Sequence, residues 1–240
     1  MQRHEFEALA RHYGPEVMIE RLRPFVSERR LARIEAVLAA RLRSVEVAVE
    51  APYDPHNAAA VVRSAEALGA WSVHVIAASE RILRNRGTTT GTHNWIETHD
   101  HADLDGFLTA FAARAEASGM LLVGACVDGM HMLEELPVDR PICLLFGNEH
   151  AGLTPPGQAA CDLRFRIPIH GFAESFNLSV AAALSLYSVT SRRRAALGRD
   201  GDLDPETASF ERARWMLRSV DQRHARAMFP SPDAAAEPRK

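Results

Sequence analysis

The apolar positions of this chain change their period along its length. Across residues 1–43 they recur at helical spacing, first as Phe6, Leu9 and Ala10 and then as Leu31, Ile34, Val37 and Leu38. That recurrence predicts two amphipathic helices, separated at Pro24 because proline lacks the N–H a helix interior uses. From Ser44 onward, strand-like runs alternate with helical ones. Val45-Glu46-Val47-Ala48-Val49 alternates as a strand, and residues 51–55 (Ala-Pro-Tyr-Asp-Pro) read as a turn. Asn57 stands at the start of a helix that runs to about Leu68 and stops at Gly69. Ser72–Ala77 is a second strand. Residues 83–100, polar and rich in Gly and Thr, predict a long functional loop. A helix follows over roughly 102–117. Met120–Val127 and Pro141–Phe146 are uninterrupted apolar runs, as expected of strands covered on both faces of a parallel sheet. Leu163–Ile167 is a last short strand, before a loop and a helix from Asn177 to Arg194. The alternation predicts an α/β fold with a mostly parallel sheet. Residues 230–240 read as a disordered tail.

Composition narrows the class. A length of 240 residues suits one α/β domain with extensions, and 47% hydrophobic with 25% charged residues is the balance of a soluble protein. No stretch predicts a signal core or a membrane span. Cys126, Cys143 and Cys161 lie far apart without a CxxC pair, so they read as small buried hydrophobes in a reducing compartment, and a cytoplasmic location follows. Net charge is −3, which announces no nucleic-acid partner. The basic charge is nevertheless clustered. Seven arginines fall between Arg21 and Arg43, and Arg192, Arg193, Arg194 and Arg199 form a second group. Such patches supply phosphate contacts even on an acidic protein, and solvated helix faces look the same.

Three segments after strand ends carry candidate chemistry. In the first, Asn57 and Arg63 lie on a small-residue helix; a helix cap and a surface charge would account for them equally. In the second, the strand ending at Phe146 opens into Gly147-Asn148-Glu149-His150-Ala151-Gly152, a polar loop framed by glycines. Glycine permits close approach to a ligand, and ligands of open α/β sheets bind beyond the carboxyl ends of strands. Neither a P-loop nor a GxGxxG is present. In the third, Ser175, Asn177 and Ser179 crowd one helix N-terminus, where capping needs only one of them.

Taken together and in this order, Asn57–Gly69, Leu144–Leu153 and Ile167–Ala182 resemble the three motifs of the SPOUT RNA methyltransferases, specifically the TrmH (SpoU) family. Gly91-Thr92-His93-Asn94-Trp95 resembles that family's Gly-Ser-x-x-Trp loop, and Leu203-Asp204-Pro205-Glu206 its C-terminal segment. The resemblance implies a SPOUT domain over 44–198, a basic RNA-contacting helical extension at 1–43, and a C-terminal helix and tail over 199–240. It implies a deep trefoil knot holding S-adenosylmethionine against Ala125, Gly147, Ile167 and Phe176. Phe176 departs from the leucine common among relatives, and the Gly171–Ser175 loop differs from the usual Gly-Met-Val-Gln-Ser. A homodimer is implied, with Arg63 reaching toward Ser175 and Asn177 of the other subunit, and Asn57 and Glu149 holding the constellation.

The implied reaction is attack of a tRNA ribose 2′-oxygen, at guanosine-18 of the D-loop, on the sulfonium methyl. A sulfonium is already a strong electrophile, so no metal is expected, nor a DNA or membrane partner. Family schemes make the arginine the base. A guanidinium is effectively always protonated, so Arg63 reads better as phosphate anchor and alkoxide stabiliser, with the proton acceptor left open. Trp95 either stacks on a base or packs in the core. His93, His99 and His101 read as surface or RNA-facing. Three rivals stand beside this reading. One is a 2′-O-methyltransferase of ribosomal RNA, disfavoured because only about 44 residues precede the first strand. The second is an RNA-binding protein without catalysis. The third is a hydrolase using Ser175, His170 and Glu149, which lacks a GxSxG elbow.

Overall fold

The computed structural model describes residues 3–76 and 91–230. The chain divides into two units, Arg41–Asp202 and the pair of terminal segments Met1–Ala40 with Leu203–Lys240. The first unit is built on a sheet of seven strands among the described residues: β1 (Leu42–Glu50), β2 (Ala70–Ile76), β3 (Glu97–His101), β4 (Leu121–Ala125), β5 (His131–Met132), β6 (Ile142–Phe146) and β7 (Leu163–Arg166). Their order is β3-β2-β1-β6-β4-β7-β5, and every pairing is parallel. Connections pass through α4 (Pro55–Ala67), α5 (Leu104–Ser118) and α6 (Pro155–Ala160), and α7 (Leu178–Leu197) follows β7, numbered after the three helices of the N-terminal segment. The expected α/β class with a parallel sheet is therefore what forms.

β1 shows why. Its odd positions Val45, Val47 and Val49 join Val61, Val62 and Ala65 of α4 and Ala182, Leu186 and Val189 of α7 in one core. Its even positions face the other way. Ala48 packs with Phe107 and Phe111 of α5, and with Ile76, Cys143 and Leu145. Each valine, leucine, isoleucine or phenylalanine so withdrawn from water stabilises the fold by roughly 1.5–3 kcal/mol. The second face also holds polar groups that a plain alternation would place in solvent. Buried Glu46 accepts from Arg114 Nη2 at 3.2 Å and lies 3.1 Å from His74 Nε2. His74 Nδ1 lies 3.0 Å from His101 Nε2, and the His74 and His99 rings stack at 4.8 Å.

This corrects the reading of residues 83–100 as one long loop. Residues 83–90 lie outside the described residues, but Glu97–His101 is an edge strand paired along β2. His99 and His101 project to the same face because they are two apart, and both stack on His74, His99 remaining exposed at the surface and His101 half-buried. His93 is exposed. Trp95 is half-buried beside the turn Thr92–Asn94. Among the cysteines only Cys143 is fully buried; all three are free thiols.

The turns that enter the strands are gathered by arginines. Arg41, 1% exposed, donates to the carbonyls of Ala70 at 3.0 Å and Trp95 at 3.2 Å. Arg140 donates twice to Gly119 O, Arg193 to Val138 O, and Arg194 to Leu68 O. Arg192 binds the carbonyls of Leu133 and Leu136. The expectation that Arg192–Arg199 forms an RNA-contacting cluster is thus overturned for its first three members. Their guanidinium forks are occupied by backbone carbonyls, several of them at helix C-termini where cations are favoured.

The terminal unit comprises α1 (Arg3–Tyr13), α2 (Pro15–Leu22), α3 (Glu28–Ala39), α8 (Pro205–Ser219) and α9 (Gln222–Met228). The N-terminal stretch breaks twice rather than once, at Gly14, whose φ of 81° is left-handed, and at the 3-10 turn holding Pro24. Phe6 packs edge-on against Phe210 at 4.9 Å, and buried Glu211 pairs with Arg214 and Arg3. From residue 231 the expected tail lies outside the described residues. No described helix is long and apolar enough to cross a membrane.

Candidate active site

The site candidates lie where the strands end. β1 stops at Glu50 and turns through Ala51 to Asp54, whose side chain caps α4 by accepting from His56 N at 2.8 Å. Asn57 is therefore not the cap; it is the third residue of the helix. That leaves its amide free for tertiary work. β6 ends at Phe146 and opens into a loop closed by reciprocal bonds between Asn148 and Gly152, at 3.0 and 2.9 Å. Gly147 and Gly152 serve that closure. A Cβ on Gly147 would stand 2.0 Å from the Gly152 carbonyl carbon, and Gly152 itself has φ +69°. Ala51 holds the site's one strained non-glycine residue, at φ 45°.

Side chains zip these two loops together. Glu149 accepts from Tyr53 N at 2.7 Å, Asp54 N at 3.2 Å and Asn57 Nδ2 at 2.9 Å. Asn148 Nδ2 donates to Ala51 O at 2.7 Å. Glu50, almost fully buried, takes Thr154 N at 3.0 Å and Thr154 Oγ1 at 2.6 Å, fixing the cap of α6. The third segment joins through Asn177. Its Oδ1 caps α7 by accepting from Ser179 N at 2.9 Å, while its Nδ2 donates to Asn57 Oδ1 at 3.1 Å. Asn57 thus bridges Glu149 and Asn177, so all three sequence segments meet in one hydrogen-bonded hub. Burial alone would raise the Glu149 carboxyl. Hydrogen bonds from Asn57 and from the amides of Tyr53 and Asp54 outweigh it and hold the group below the ordinary carboxylate range.

The other nominated residues are placed differently. Arg63 is exposed on α4, with no hydrogen bond or ion pair among the described residues. Ser175 is exposed in the loop before α7 and stays outside the hub, as does exposed His170. No Ser175–His170–Glu149 relay forms, since Glu149 is engaged with Asn57. Ala125 ends β4, while Gly147 and Ile167 directly follow β6 and β7; all three are half-buried. The three strands are neighbours, so these residues line one stretch of the sheet's carboxyl edge. Phe176 is 39% exposed. Glu50 escaped the sequence reading, whereas Asn148 was named there only as part of the polar loop after β6. The available signal was a carboxylate closing the buried run of β1, a position that tolerates charge only when it is paired.

The chain matches the SpoU rRNA Methylase family profile over residues 44–187. It is 32% identical to the tRNA (guanosine(18)-2'-O)-methyltransferase of Borreliella burgdorferi over 72% of this chain and 78% of that enzyme. The crystal structure of the A. aeolicus TrmH/SpoU tRNA modifying enzyme superimposes with a TM-score of 0.66 at 26% identity, covering 81% of this chain and 98% of that one. The SpoU methyltransferase AviRb from Streptomyces viridochromogenes, in complex with the cofactor AdoMet, gives 0.59 at 28% identity, covering 65% and 62%.

Proposed function

The chain belongs to the SpoU rRNA Methylase family, and from that premise we propose that it methylates the ribose 2′-hydroxyl of tRNA at guanosine-18, using S-adenosylmethionine. The observation that carries this reading is the hub in which Asn57, Glu149 and Asn177, from three separate segments, meet at the carboxyl edge of the sheet. Of the tRNA and ribosomal readings, the first is favoured by the guanosine-18 enzyme that the chain matches over most of its length.

The residues at the strand ends fit the cofactor. Ala125, Gly147, Ile167 and Phe176 are uncharged and partly open, a surface suited to an adenine ring and an alkyl chain. Bound there, S-adenosylmethionine supplies a methyl group on a positively charged sulfur. A C-terminal trefoil knot running from β6 into α7 belongs to this reading. The chain's own groups divide the remaining work. A carboxylate held below its ordinary range is a weak base, so Glu149 acts by fixing the loops around Asn57. The Arg63 guanidinium binds a phosphate and stabilises the alkoxide developing at the 2′-oxygen. The exposed Ser175 hydroxyl meets the RNA beside it.

The proposed unit is a homodimer in the cytoplasm, with Arg63 of one subunit completing the site of the other. Exposed Val180, Leu184 and Tyr187, spaced i, i+4 and i+7 on α7, support an apolar face for a second copy. In the terminal unit, exposed Arg21, Arg23, Arg29 and Arg33 with Phe25 support contact to the tRNA backbone.

The test is transfer of labelled methyl from the cofactor to separate tRNA and ribosomal RNA transcripts, with the 2′-O-methyl position mapped. Label is expected in tRNA at guanosine-18 and absent when that nucleotide is replaced. Label confined to ribosomal RNA, or no transfer at all, overturns the proposal.

A further inference from the structure

We infer that Tyr53 and His150 form a stacking subsite for an unpaired nucleobase adjoining the methylated ribose. The inference rests on the reading of this chain as an RNA-modifying enzyme and adds to it a contact to the base. Both residues lie in the two loops that the hub joins. The Tyr53 amide is fixed to Glu149 at 2.7 Å, and the His150 amide to Asn148 Oδ1 at 2.9 Å. Their backbones are thus anchored while their rings are not buried. Tyr53 is 71% exposed and His150 is also exposed. The rings meet edge to face, with centroids 5.0 Å apart and planes at 73°.

Such a pair leaves at least one face of each ring open, and the fold does not need either side chain. The loops are held by main-chain donors that any residue at 53 or 150 would supply. An aromatic ring kept in water on a rigid loop, beside the hub that positions the reacting ribose, matches the way proteins hold splayed-out bases. Sequence-tolerant stacking on aromatic faces is the common mode for unpaired RNA. A D-loop guanosine and its neighbours are substrates of that kind.

Tyr53→Ala keeps the amide bond to Glu149 and removes only the ring. Loss of one base–aromatic stack weakens RNA binding about 5- to 140-fold. KM for tRNA is therefore expected to rise by that factor with little change in kcat, while cofactor affinity by calorimetry stays the same. A second readout is independent of turnover. In tRNA carrying 2-aminopurine next to guanosine-18, the wild-type protein quenches the fluorescence by stacking, and Tyr53→Ala does not. Tyr53→Phe restores both readouts, whereas Tyr53→Leu does not. Unchanged KM and quenching in Tyr53→Ala, or equal performance of Tyr53→Leu and Tyr53→Phe, overturns the subsite. If the wild-type protein transfers no methyl yet shows Tyr53-dependent quenching, the subsite stands and the methyl-transfer reading falls. If transfer is normal and neither readout depends on Tyr53, the subsite alone falls.

Discussion

The two edges of the sheet are held by groups of opposite charge. At the amino edge, Arg41, Arg140, Arg193 and Arg194 donate to carbonyls of the turns that lead into β2, β3, β4 and β6. At the carboxyl edge, Glu50, Glu149 and Asp54 accept from amides of the turns that lead into α4 and α6. The arrangement follows from chain direction. Helices end at the amino edge with unpaired carbonyls and begin at the carboxyl edge with unpaired N–H groups. Cations suit the first and anions the second. The difference teaches how to read an arginine in this protein. At the amino edge the guanidinium is structural and spent. At the carboxyl edge the backbone is satisfied by carboxylates and amides, and Arg63 has no partner among the described residues.

The largest expected effect tests that division. Arg63→Ala should lower methyl transfer by roughly a thousandfold, the scale of losing a charge-stabilising donor at a reacting oxygen. Cofactor binding and thermal stability should stay at wild-type levels, because Arg63 has no partner among the described residues. Turnover within tenfold of wild type in that variant would remove Arg63 from the site. Arg41→Ala should do the opposite. It strips the donor from the Ala70 and Trp95 carbonyls and breaks an ion pair with half-buried Glu66. A loss of about 3 kcal/mol is expected, lowering Tm by roughly 6–12 °C, with transfer per folded molecule preserved. Arg41→Lys should recover little, since an ammonium cannot bridge two carbonyls as a planar fork does. A stable, inactive Arg41→Ala would break the comparison between edges.

The same contrast explains what the sequence disclosed. Strands β1, β2, β4, β6 and β7 were legible to within a few residues because their apolar positions recur in alternation or as unbroken runs. β3 was not, because Glu97-Thr98-His99-Asp100-His101 is polar throughout. It forms at the sheet's edge, where one face stacks on His74 and the other meets water. The hub was legible only through three motifs in register. No spacing rule brings Asn57 next to both Glu149 and Asn177 across 92 and 120 residues. The run Arg192–Arg194 misled because composition records a charge but not whether a carbonyl already occupies it. Gly147 also has a reason to be glycine that the sequence alone did not offer, since the space beside it is filled by the loop's own backbone.

The smallest effect lies between the two edges, on the α5 face of the sheet. Between pH 5.5 and 7.5 the group that bears on stability there is His101, which stacks on His74. His101 titrates below the ordinary histidine value of 6.5, first because it is partly buried and then because the charges of His74 and Arg114 oppose a further proton. Below pH 6.5 the unfolded chain binds a proton at this position that the folded chain resists, so stability falls as pH is lowered through the window. The group is partly open to water, which screens much of the interaction, and the expected drop in Tm from pH 7.5 to 5.5 is only roughly 1–2 °C. His101→Phe keeps a ring against Phe107, whose centroid lies 5.3 Å away, and should flatten the profile. Glu46 and Glu149 act in a separate window. Their carboxyls are held below the ordinary value of 4.5, so what they contribute is full above that pH and is lost only as pH falls beneath it. A variant profile that still slopes between 7.5 and 5.5 would place the proton elsewhere. A wild-type profile already flat there would show that proton binding at the histidine stack on the sheet is not coupled to folding.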